Sequence, residues 1–157
     1  MFNKDQRRQA AINYFKAGYN CSQAVIAAYI DVIGIDFEKA MMLGSSFGGG
    51  MGRLREVCGA VSGMFTVIGL LKGYSSPSDP EAKKEHYALI QYLAKQFSQK
   101  NGSIICRQLL SLNTSGADIP VPEARTEQYY KKRPGAELVG DAAEILAEYL
   151  STNDFQC

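Results

Sequence analysis

Residues 58–71 read CGAVSGMFTVIGLL, and no charged side chain appears until Lys72. A helix built from this run is apolar all round, so other elements have to enclose it. Its small residues, Gly59, Ala60, Ser62, Gly63 and Gly69, let neighbouring helices approach closely. Extended back to Leu54, the stretch gains two charges and still falls short of the roughly 20 apolar residues that span a bilayer. A buried, glycine-rich central helix is therefore the fixed point around which the rest of the chain must fold.

The remaining sequence supplies partners of the same kind, because its periodicity is helical almost throughout. A first helix is expected over residues 5–17, with Ala11, Ile12 and Phe15 on one face and Gly18 as its stop. A second begins at Asn20 or Cys21 and runs to Ile33, with Val25, Ile26, Tyr29, Ile30 and Ile33 as its stripe. Asp36 caps a short helix over residues 37–43. Ser78 or Asp79 caps a longer one, with Pro80 in its first turn, that reaches Lys100 before Gly102. A short helix is expected at residues 104–110. The irregular LNTSGADIPVPEA follows as a lid or connector, and a last amphipathic helix occupies residues 140–150. No alternating strand pattern is present. The expected fold is all-α: a compact orthogonal helical bundle around the buried Gly-rich helix, forming one domain over residues 1–157 with 152–157 as a flexible tail. At 157 residues such a domain removes roughly 70% of its unfolded surface from water.

Charge narrows the function classes. The formal net charge is +1, which offers no whole-chain attraction for nucleic acid or an anionic membrane. The opening MFNKDQRRQAA has no apolar core of the kind a secretory signal needs. A cytoplasmic protein that binds neither nucleic acid nor membrane is expected. Residues 125–133, RTEQYYKKR, interleave aromatic and basic side chains, but Glu127 interrupts them and a solvated face is the expected reading. His86 is the only histidine, and its spacing with Leu89, Ile90, Leu93 and Phe97 makes it a packed side chain rather than a catalytic base.

Cysteines 21, 58, 106 and 157 are widely spread, with no CxxC pair and no metal-finger spacing. A reducing cytosol argues against a structural disulfide framework. Three of the four fall at expected helix N-termini: Cys21 after GYN, Cys58 at the start of the central helix, Cys106 after NGS. Free amides and the positive dipole end there stabilise a thiolate and lower its pKa. Just ahead of Cys58, FGGGMGR places Gly48, Gly49, Gly50 and Gly52 beside Arg53. Such a stretch can present backbone N–H groups as a nest for an anion or thiolate. It is not a P-loop, since no GKS or GKT follows.

GYNCSQAV, FGGGMGR, CGAVSGM and the later DAAEIL together resemble the C_GCAxxG_C_C family of redox-active proteins, over about residues 18–150. The central motif stands here as Cys58-Gly59-Ala60-Val61-Ser62-Gly63, with Cys21 and Cys106 at the outer cysteine positions. Where the family pattern places its last cysteine, this chain has Pro134 and Gly135, which leaves Cys157 as the remaining thiol. The resemblance implies redox activity carried by three cysteines.

Three functions are consistent with these residues. In the first, a thiol oxidoreductase, Cys58 attacks, Cys21 resolves the mixed species as a disulfide, and Cys106 is a third participant, with a redox partner or small ligand as the counterpart. In the second, Cys21, Cys58 and Cys106 are thiolate ligands for a metal ion or an iron–sulfur centre. In the third, the chain is a non-catalytic helical module that packs or dimerises through its Gly-rich helix.

Overall fold

The computed structural model describes residues 2–153, and the order of its helices follows from where the chain can cap them. Asn3 accepts from the Gln6 amide to start α1 (Lys4–Lys16). Asn20 and Gln23 exchange hydrogen bonds as a capping box at the start of α2 (Cys21–Ala27), which makes Cys21 the first helical residue. Asp36 caps α3 (Phe37–Gly44), and a 3-10 turn, Ser45–Phe47, leads onward. Beyond the glycine stretch come α4 (Gly59–Lys72) and α5 (Pro80–Asn101), the latter capped by Asp79 with Pro80 in its first turn. Three further helices follow: α6 (Cys106–Leu109), α7 (Glu127–Lys132) and α8 (Gly135–Thr152). Among the described residues the extended backbone amounts to one isolated antiparallel bridge, Val57 to Ile105.

The all-α expectation holds, and the uncharged run is buried: Ala60, Val61, Met64, Val67 and Ile68 are inaccessible to solvent. Glycine spacing sets how closely α2 lies on α4. A Cβ on Gly63 would come 2.7 Å from the Ser22 carbonyl, and one on Gly59 would come 3.0 Å from Cys21 Cβ. Real Cβ atoms do not pack at such distances, so Gly59 and Gly63 bring the start of α2, and Cys21 with it, onto the start of α4.

Two expected boundaries move. Helix α2 ends at Ala27 rather than Ile33, because Arg7 claims the Ala28 carbonyl at 2.8 Å and pairs with Asp31. The chain continues in tighter turns, with Tyr29 N–H donating to Ile26 and Ile30 N–H to Ala27. Helix α8 begins at Gly135, five residues before the expected start at 140. The glycines that looked like a boundary are contact points: a Cβ on Gly135 would lie 2.5 Å from the Phe15 ring, and one on Gly140 would lie 3.0 Å from Ile12. Helix α1 thus packs along α8, where Arg8 pairs with the buried Asp141 and with Glu137. No helix among the described residues is long and apolar enough to cross a membrane. Cys157 and most of the expected tail lie outside the described residues.

Candidate functional site

The glycine stretch turns the wrong way for L-amino acids. Gly49, Gly50, Met51, Gly52 and Arg53 all have φ between 65° and 68°, and Arg55 has φ 62°. A left-handed turn costs a non-glycine residue about 1–2 kcal/mol, so Met51 and Arg53 are held there by what surrounds them. The turn satisfies its own carbonyls. Gly48 accepts from Gly52 at 2.9 Å, Gly49 from Arg55 at 3.3 Å, and Gly50 from Glu56 at 3.0 Å.

Leaving this turn, residues 55–58 run antiparallel to residues 104–107. Cys58 N–H donates to Ile104 at 2.8 Å, Cys106 N–H to Glu56 at 2.6 Å, and Arg107 N–H to Arg55 at 3.2 Å. This short ladder carries Cys58 and Cys106, which stand 48 positions apart in sequence, to the same place. Gly50 seats Cys106, since a Cβ there would lie 2.5 Å from the Cys106 Cβ. Cys21 arrives from α2. All three line one cavity of about 400 Å³, together with Gly48, Gly49, Gly50, Gly52 and Arg53.

The cysteine placements match the expectation: Cys21 opens α2, Cys58 is the N-cap of α4, and Cys106 opens α6. The expected lowering of their pKa does not follow at two of them. Burial pushes Cys21 up to about 11, with Cys106 nearby acting in the same direction. Burial likewise holds Cys58 well above the ordinary thiol range, again reinforced by Cys21, while the amides of Ala60 and Val61 oppose it without prevailing. Desolvation outweighs one helix terminus here. Cys106 has a different neighbour, a guanidinium: Arg55 Nη1 donates to its sulfur at 3.6 Å.

That guanidinium is not the expected one. Arg53 donates Nε to the Ile119 carbonyl at 2.8 Å, and its own N–H, with that of Gly52, is spent on Gly48. Arg55, only 5% exposed, bridges Cys106 and Asp118, donating to the carboxylate at 2.7 Å. Burial works against the Arg55 cation, but its bonds to Cys106 and Asp118 prevail and raise its pKa. In sequence the two arginines sit two residues apart and read alike. Their roles diverge because the partner, Asp118, lies in the irregular segment.

That segment, residues 111–126, forms a strap across the cavity, with Pro120, Pro122 and Glu123 in the lining. Arginines tie it down. Arg107 donates to the carbonyls of Thr114 and Gly116, Arg53 and Arg55 hold residues 118 and 119, and Arg133 pairs with Glu123 at 2.7 Å. Arg125 donates to the carbonyls of Phe15 and Tyr19 at 3.0 and 3.1 Å and stacks on the Phe15 and Tyr129 rings. The expected solvated face at residues 125–133 is thereby corrected. Arg125, Tyr129 and Arg133 face the cavity, and Lys131 and Lys132 remain exposed. His86 is packed against the Tyr74 ring and lines a different pocket.

The strap's ties predict a pH response. Hydrogen bonding from Arg55 holds the Asp118 carboxyl below the usual range, and Arg133 does the same for Glu123. Folding lowers both pKa values, so the ties contribute fully above the unfolded values of about 3.9 and 4.3 and are lost as pH falls through the lower folded ones. The Asp118 amide, which donates to the Arg53 carbonyl at 3.0 Å, reports this. Its hydrogen-exchange protection is expected to stay level from pH 7 to about 4 and to drop below it.

Cys21, Cys58 and Cys106 are free thiols. Among the described residues no group of three His, Cys, Asp or Glu side chains is arranged to hold a metal ion. The three thiols thus share a cavity wall without forming the coordination set that a metal or cluster would take from them. Of known proteins, the family described as "Putative redox-active protein (C_GCAxxG_C_C)" matches residues 19–149. No curated protein and no solved structure matches the chain.

Proposed function

This chain belongs to the C_GCAxxG_C_C family of redox-active proteins, and from that premise we propose that it is a cytoplasmic dithiol–disulfide exchange protein working inside the arginine-tied cavity. The observation that carries this reading is that three thiols from remote parts of the chain line one cavity. Their environments differ in a way that assigns roles. Cys106 faces a guanidinium, the surrounding that suits an attacking thiol, whereas burial disfavours the charged form of Cys58. The attacking role therefore moves from Cys58 to Cys106.

We assign the resolving role to Cys21. Cys58 and Cys106 are diagonal neighbours across the short ladder, a relation that sets Cα atoms about 7–8 Å apart. A disulfide needs about 4.4–6.8 Å. The charge of Cys106 acts on both Cys21 and Cys58, and of these two Cys21 comes from a separate helix rather than from the ladder. In the reaction Cys106 gives up its proton and attacks one sulfur of a disulfide, expelling a thiolate that takes up that proton. Cys21 then attacks Cys106 Sγ, expels the second thiolate, and hands over its proton. Two thiols of the protein become one disulfide, and one disulfide of the substrate becomes two thiols.

Mild oxidation of the reduced chain with hydroxyethyl disulfide, followed by acid quenching and peptide mapping, tests this. The expected product joins Cys21 to Cys106 and reverts with dithiothreitol. Cys21→Ser is expected to stop at a mixed disulfide on Cys106, and Cys58→Ser to close the bridge normally. Oxidation confined to Cys157, or none at all, would refute the exchange chemistry.

A further inference from the structure

The charges around the cavity narrow what the thiols would meet. Arg53, Arg55, Arg125 and Arg133 line it, and Glu123 is the carboxylate among the lining residues. Asp118, bridging Arg53 and Arg55 from the strap, adds a second negative charge. Four guanidiniums against two carboxylates leave a surplus of two positive charges, in a chain whose net charge is only +1. The partners of Arg125 are two carbonyl oxygens and two aromatic rings, none of which neutralises it. A cavity of about 400 Å³ is the size that takes a small molecule, and the strap lies across it.

We propose that the substrate is a small disulfide carrying carboxylates, drawn in by the unneutralised guanidiniums and reduced by Cys106 and Cys21. This rests on the exchange chemistry proposed above and adds the size and charge of the molecule that undergoes it. Arginine suits the task because its planar fork binds carboxylates in two-point contacts. Low-dielectric walls of one sign raise the local concentration and the association rate of oppositely charged molecules by about 10–1000-fold. The strap adds Pro120, Pro122 and Glu123 to the lining of a cavity of about 400 Å³, a size that suits a small disulfide.

Three disulfides of similar size and opposite charge test the proposal: 3,3'-dithiodipropionate, hydroxyethyl disulfide and cystamine. Each rate of Cys21–Cys106 bridge formation is divided by that of the urea-unfolded chain, which removes differences in intrinsic reactivity. The expected order is dianion, neutral, dication, with at least about tenfold between the extremes at low salt and convergence as salt rises. Arg133→Gln is expected to narrow the spread, and Glu123→Gln to widen it, so one variant that fails to fold leaves the other. Calorimetry with 3,3'-thiodipropionate, a thioether that cannot exchange, reads binding apart from chemistry. Equal normalised rates and no heat from the thioether overturn the anion preference and leave dithiol exchange standing. Thioether binding without oxidation by any of the three overturns the exchange chemistry and leaves the anion site standing.

Discussion

Gly50→Ala is expected to cost about 2–5 kcal/mol, the sum of a left-handed alanine at about 1–2 and an overpacked contact at about 1–3. The contact is specific: the new methyl carbon would sit 2.5 Å from Cys106 Cβ and 3.0 Å from Arg55 Cα, both on rigid, hydrogen-bonded backbone. For a domain of marginal stability, about 5–15 kcal/mol in total, such a loss approaches unfolding. Gly52→Ala is the control. Its φ is the same, but the added carbon meets only Ser46 O at 3.8 Å, an ordinary contact, so conformational strain of about 1–2 kcal/mol remains. Urea midpoints at unchanged slope measure both. Equal costs for the two alanines would mean that Gly50 does not seat Cys106.

Arg55→Met is expected to slow iodoacetamide alkylation of Cys106 by about 10- to 150-fold, since a hydrogen bond to a charged group is worth about 1.5–3 kcal/mol and each 1.4 kcal/mol or so is tenfold. The same change removes the main partner of Asp118, so exchange protection across residues 111–126 is expected to fall as well. Arg55→Lys restores charge without the fork that reaches Cys106 and Asp118 together, and only part of the rate should return. Mass spectrometry resolves the rate at each cysteine. Alkylation of Cys58 is expected to stay slow in all three proteins, because its burial is not changed. An unaltered Cys106 rate in Arg55→Met would remove the guanidinium from the mechanism.

Both predictions turn on features that local sequence signals do not carry. Caps were legible because their physics is local: Asp36, and Asp79 of the two candidates Ser78 and Asp79, each bond an amide three residues on and start the expected helix. The enclosed run at 58–71 was legible from the absence of charge. So were the cysteine positions at helix starts, and all five residues of the glycine nest do line the cavity. The Val57–Ile105 bridge was not, since one pair of residues makes no alternating pattern. Arg55 was passed over for Arg53 because Asp118, which decides between them, is 63 positions away in a stretch without periodicity. The inward turn of Arg125 was hidden for a similar reason: its acceptors are the carbonyls at the end of α1, more than a hundred residues earlier.

The pairing of α1 with α8 bears on how the protein is made. Phe2 and Ser151 exchange two hydrogen bonds, and Tyr29 hydroxyl donates to the Ala143 carbonyl, so helices made far apart in time close on one another. During translation α1, α2 and α4 have emerged while the helix that buries them is still unmade. Long-range closure of this kind slows folding relative to helical proteins built from neighbouring hairpins. It also leaves Cys21, Cys58 and Cys106 open to any oxidant the ribosome-bound chain encounters. Gly135 and Leu138 of α8 belong to the lining of the cavity these cysteines share, so that cavity is incomplete until α8 has been made. Yield in a cell is therefore expected to depend on how reducing the surroundings are while α8 is being synthesised.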